Sequence, residues 1–122
     1  MTWQQISREN LVAAKSLSQD ARWRSAVSRA YYAAYASVCG ALEGLATYPK
    51  GRFGPSHDLL PKLVMTYVTT VSMWDRRRIA TAAHRLFERR LVADYKPVQQ
   101  VDGEMARACV QDASVIIKMV NR

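Results

Sequence analysis

Arg90 is the residue of this chain whose placement most demands a chemical explanation. It lies in Arg89-Arg90-Leu-Val-Ala-Asp94-Tyr95, at the end of a stretch in which Ile79, Ala83, Leu86 and Phe87 recur at helical spacing. That spacing makes an apolar face, and Arg90 and Arg76 land on or beside it. An unpaired buried guanidinium is very costly, so such an arginine needs a carboxylate, a phosphate or a cleft. Asp94, four residues on, is placed to pair with Arg90 and close the helix end. His57, directly after Ser56, is a second titratable group: a proton carrier if the fold brings it to the same cleft, a structural residue otherwise. A third combination is Arg78, five residues, then His84, or Arg77, six residues, then His84. Arg78 and His84 lie about 120° apart on a continuous helix. Arg78, Arg85 and Arg89 fall in one narrow stripe, Arg77, His84 and Glu88 on another. Arg29 and Tyr32 share a face of an earlier helix, where a phenol ring could stack on a base and an arginine hold a phosphate. Tyr31 lies in the apolar stripe of that helix and reads as core.

Several classes of chemistry are poorly supported. Two histidines and two distant cysteines offer no recognisable ligand set, and no paired acidic motif appears, so no metal or other cofactor is called for. Gly51-Arg52-Phe53-Gly54 lacks the Gly-Lys-Ser/Thr ending of a phosphate-cradling loop. Nothing points to a serine or cysteine triad. The charge balance is more informative: 18 basic residues against 10 acidic ones give a net charge of +8, and most of the cations are arginine. An acidic partner follows, nucleic acid first and an acidic protein second, against the bland alternative of solubility alone.

The elements that position these residues are helical. Residues 3–18 read as a first helix, with Ile6, Asn10, Ala13, Ala14 and Leu17 on one face. Trp3 and Trp23 belong at the edge of the core. Arg22 to Leu45 is the organising stretch: Val27, Ala30, Tyr31, Ala34, Val38, Ala41, Leu42 and Leu45 make an apolar stripe, and the neighbouring face is also too apolar for a solvated surface. Asp20 is placed to cap it. Small residues along this helix allow close approach of others, as in a helix central to its bundle or shared with a partner subunit. Pro49, Gly51, Gly54 and Pro55 mark a loop with a basic tip at Lys50 and Arg52. Ser56 caps a third helix, His57 to Thr69, with Pro61 in its early turns. The run TYVTTVS is β-branched but has no partner strand, and reads as a fraying helix end and a turn. Ser72 and Asp75 form a capping box for a fourth helix that runs to about Val92, and Asp102 caps a last one bearing Met105, Cys109, Ala113, Ile116 and Val120. The sum is an all-α bundle of about five helices in one domain, residues 1–122. No apolar run reaches a membrane-spanning length, and no secretion signal opens the chain. With Cys39 and Cys109 inside helical patterns, buried thiols and a cytoplasmic setting are expected.

Ser28-Arg-Ala-Tyr-Tyr-Ala-Ala34, then Ser56-His57, then Arg90 with Ala93-Asp94-Tyr95 occur in an order that resembles the HEPN superfamily, in its subgroup with a helix reading SRAYYAAF, a Ser-His after a loop, and an Arg…Ala-Asp-Tyr segment before a last helix. The resemblance spans most of the chain and implies a HEPN-like helical bundle. It also implies a homodimer with a basic cleft that binds RNA, and an association with toxin–antitoxin or defence systems. Many such proteins look to cleave RNA without metal, using an Arg, four to six intervening residues and a His. The substrate's 2′-hydroxyl is then the nucleophile, with the His as proton carrier and the Arg as cation for the phosphorane-like charge. The resemblance puts Arg90 or Arg89 in the Arg position, while Asp94 or Tyr95 occupies the place of the His. A solvated aspartate has a pKa near 4 and is a poor general acid at neutral pH.

Two functions therefore stand side by side. In the first, the chain is a toxin-like or defence-associated RNA-binding protein and metal-independent endoribonuclease: Arg90, Asp94, Tyr95 and His57 form the catalytic group, Arg78 and His84 the alternative, and Arg29, Tyr32, Arg85 and Arg89 the RNA contacts. In the second, it is a non-catalytic subunit that binds nucleotide or a minimal nucleotidyltransferase, the antitoxin that related proteins have encoded next door. A duplex-DNA binder is the weaker third, with no helix-turn-helix to support it.

Overall fold

The computed structural model describes residues 1–46 and 54–121; the expected loop tip at Lys50 and Arg52 lies outside the described residues. Among them are five helices, α1 (Trp3–Gln19), α2 (Trp23–Leu42), α3 (Leu60–Tyr67), α4 (Met73–Tyr95) and α5 (Gly103–Val120), and no strand. The all-α bundle expected from the periodicities is the architecture observed. No described helix is long and apolar enough to cross a membrane.

The central helix earns its position from its composition. α2 packs against each of the other four helices. Its buried residues run around the cylinder and are mostly small: Ala26, Ala30, Ala33, Ala34 and Ala36 are all about fully buried, with Val27, Tyr31, Val38 and Leu42 between them. Small side chains let neighbouring backbones approach closely, and the limit is reached at Gly40, where a Cβ would sit 3.3 Å from that of Trp3 on α1. Ile79, Leu86, Ile116 and Leu60 fill the larger gaps from α4, α5 and α3, giving one contiguous core. Cys39 and Cys109 are free and buried in it. Burial pushes the Cys39 thiol up to about 11, so it stays protonated and packs as a small apolar group.

The helix ends depart from expectation in instructive ways. Asp20 does not cap α2. It closes α1 instead, and the chain then turns through Ala21 at φ 59. The Arg22 amide donates to the Leu17 carbonyl and the Ala21 amide to that of Ser18, the paired bonds of a Schellman turn with alanine where glycine is usual. α2 begins at once from Arg22, without a side-chain cap. Ala21→Gly relieves the left-handed strain and is expected to raise stability by about 1 kcal/mol, or roughly 4 °C in Tm by thermal melting.

At its other end α2 stops at Leu42, because Gly44 reverses the chain at φ 76, and Leu45 is left 52% exposed rather than on the core stripe. Ser56 is not a helix cap either. Its carbonyl accepts from the Leu59 amide, a separate turn holds residues 57–59, and α3 starts at Leu60 with Pro61 in its first turn. Ser72 and Asp102 cap α4 and α5 as expected, accepting from the amides of Asp75 and Met105. α4 continues a turn past Val92, to Tyr95.

Candidate functional site

Three separated segments meet against the middle of α2. Arg90 sits on the buried face of α4, among Ile79, Leu86 and Ala93, with its side chain only 11% exposed. Its Nε donates to Asp94 Oδ2 at 3.0 Å and its Nη2 to the Tyr32 hydroxyl at 2.8 Å. The guanidinium carbon also lies 5.3 Å from the Tyr32 ring, 5.5 Å from Tyr95 and 5.8 Å from Tyr31, within cation–π range. The Ser28 hydroxyl donates to the same Asp94 oxygen at 3.3 Å. Ser28 and Tyr32, one turn apart on α2, thus hold the two ends of the Arg90–Asp94 pair.

His57 reaches the other side of this cluster. Its Nδ1 shares a hydrogen bond with the Tyr31 hydroxyl, and its ring lies parallel to Phe87 with centroids 5.8 Å apart. Tyr35 helps to seat it by donating to the Pro55 carbonyl at 2.8 Å, and Gly54 keeps the approach open, since a Cβ there would fall 2.8 Å from the Tyr35 hydroxyl. Burial first, and then Tyr35 nearby, push the Tyr31 phenol well above the usual tyrosine range against the lowering pull of Arg90. Tyr31 therefore remains a neutral hydroxyl at any physiological pH. Its centroid lies 5.4 Å from those of both Tyr32 and His57, so rings and guanidinium form one packed aromatic–cationic unit.

The fold thus brings Arg90, Asp94, Tyr95, Tyr32 and His57 together. It does not gather the remaining candidates there. Arg29 turns to α1, donating to the Asn10 side chain at 3.2 Å. Arg78 lies 3.8 Å from Asp75 and His84 lies 3.0 Å from Glu88; no contact among the described residues joins Arg78 to His84. Arg85 makes a two-pronged contact to Asp112 on α5 at 2.9 and 2.8 Å, and Arg89 approaches the same carboxylate at 3.9 Å. Arg76, the other arginine expected beside the apolar face, donates from Nη1 to the Met65 carbonyl at 2.8 Å, while its buried Nε meets no acceptor among the described residues.

Three further side chains take part in ways their sequence positions do not announce. Phe87 is legible only as core, yet it stacks on His57. Ser28 opens the Ser28–Ala34 motif, and its one-turn spacing to Tyr32 is the signal for its contact with Asp94. Arg24 left no local signal: its Nη1 donates to the carbonyls of Val92 and Ala93, both at 3.1 Å, and of Lys96 at 3.2 Å, and its Nη2 to those of Pro97 at 3.2 Å and Gln99. These partners lie some 70 residues away and include the open end of α4, where carbonyls lack amides of their own. Arg24 therefore fixes the segment that carries Asp94 and Tyr95.

Chemically, the cluster holds a cation with its carboxylate and phenol already bonded, and an imidazole bonded to a neutral phenol. Groups of three or more metal-ligating side chains are absent among the described residues. Compared with known families, residues 1–122 match the model described as HEPN domain. None of the curated proteins compared with the chain matches it.

Proposed function

Because the chain belongs to the HEPN domain family, we propose that it is an RNA-binding member acting as a homodimer, in which the Arg90 cluster organises the binding surface and does not cut. The observation that carries this reading is the bonding of Arg90. A guanidinium that stabilises charge developing on a phosphate must be free to meet it, and here Nε and Nη2 are committed to Asp94 and Tyr32 in a largely enclosed site. The position four residues on bears a carboxylate, not an imidazole. The net charge of +8 supports a polyanionic partner. In a toxin–antitoxin or defence setting, a minimal nucleotidyltransferase would be the protein partner of such a binding subunit.

A second reading keeps the ribonuclease. It is favoured by His57, whose ring approaches Tyr31 and Tyr32, the same rings that flank Arg90. Incubation of a labelled single-stranded RNA with the purified protein in excess chelator separates the two. Retarded but intact RNA is the expected result. Cleavage lost in both Arg90→Ala and His57→Ala would establish the ribonuclease instead, and absence of any RNA binding would end the RNA reading.

A further inference from the structure

The outer edge of α4 carries a second pattern that the Arg90 cluster does not use. Trp74, Arg78, Arg85, Arg89 and Lys96 fall within about 60° of one another in helical projection, some 120° from Arg90. Trp74 is 76% exposed, the only described tryptophan so open to solvent, and the Arg77 guanidinium lies 5.8 Å from its ring centroid. A groove of about 400 Å³ runs beside Trp74, Arg77 and Arg78 to Asp112 on α5. A second, of about 720 Å³, runs from His84 to Lys96. The two share Thr81 and Arg85, so together they follow the helix for about 33 Å.

We propose that this edge of α4 is a track for single-stranded RNA, with Trp74 as a base-stacking platform at one end and Arg78, Arg85, Arg89 and Lys96 as successive phosphate contacts. The inference rests on the RNA-binding reading above and locates its contact surface. A large exposed indole costs hydration unless something flat covers it, and nucleobases stack on such rings without regard to sequence. The cations recur at steps of about 6 and 10 Å along the helix, which suits a ligand with regularly repeated negative charge more than a compact acidic one. The carboxylates on the track do not cancel it. Arg78 has Asp75 only at 3.8 Å and keeps its side chain 65% exposed, Arg85 and Arg89 share the single Asp112, and Glu88 faces His84.

The test is fluorescence anisotropy with a labelled oligouridylate, using the full chain and its Trp74→Ala, Trp74→Phe and Arg78→Ala variants, with thermal melting of each. Trp74→Ala should weaken binding about tenfold with an unchanged melt, while Trp74→Phe stays within about threefold of the parent. Arg78→Ala should reduce the slope of log K against log salt by about 0.7, the value of one single-strand phosphate contact. If the parent binds and Trp74→Ala binds equally well, the track is wrong and RNA binding stands elsewhere. If the parent does not bind, the RNA reading itself fails. If Trp74→Ala weakens binding by turning a dimer into a monomer in sedimentation, the edge is an interface between copies and the track is overturned.

Discussion

Arg90→Ala is expected to lower the stability of the fold by about 3 kcal/mol, a drop of roughly 12 °C in Tm. The substitution removes two side-chain hydrogen bonds and the cation at the centre of three tyrosine rings. More damaging is what it leaves behind. Asp94, with its side chain 28% exposed, keeps only the 3.3 Å bond from Ser28, and the Tyr32 hydroxyl loses its donor. A partly enclosed charge without its partner costs more than the pair contributes. The double variant Arg90→Ala/Asp94→Ala should therefore be more stable than the sum of the single losses, with a coupling of about 1–2 kcal/mol from chemical denaturation. Arg90→Lys should recover little, because an ammonium cannot serve the carboxylate and the phenol from one rigid fork. An unchanged melt for Arg90→Ala would mean that the guanidinium is held loosely, and the case for a cleaving arginine would strengthen accordingly.

This expectation ties stability to the family-like motif, and the tie was only half visible in the sequence. The position of Arg90 on an apolar face and its four-residue spacing to Asp94 follow from helical periodicity, which is local. The same periodicity yields the five helices, since each carries a stripe of its own. Tyr31 as core and Tyr32 toward the cluster follow likewise from one helix considered alone. What periodicity does not contain is how faces of different helices are turned toward each other. Arg29 and Tyr32 share a face of α2, yet one meets α1 and the other α4. The stripe of Arg78, Arg85 and Arg89 is real, but Asp112, which takes two of its members, comes from the next helix, 27 residues beyond Arg85. Helix ends failed for a related reason. Asp20 and Ser56 have good capping chemistry, and at both places a competing backbone turn satisfies the amides first.

Arg24→Ala is expected to cost about 2 kcal/mol, roughly 8 °C in Tm, and to loosen the end of α4 more than any other part of the fold. α4 has no basic residue in its last turn, so no cation of its own answers the partial negative charge of its carbonyls. Arg24 supplies that cation from α2, and by spanning from Val92 to Gln99 it also pins the connection toward α5. Without it the carbonyls of Ala93 and Pro97 must find water, and the turn bearing Asp94 and Tyr95 is free to fray. Hydrogen exchange should show the loss as faster exchange for amides of residues 92–99, with α1 protected as before. The Arg90–Asp94 pair depends on that turn, so Arg24→Ala and Arg90→Ala should be non-additive although Arg24 and Arg90 share no hydrogen-bond partner. Strict additivity would show instead that the last turn of α4 holds its shape unaided, and that the cluster is set by the packing of Tyr31, Tyr32 and His57 alone.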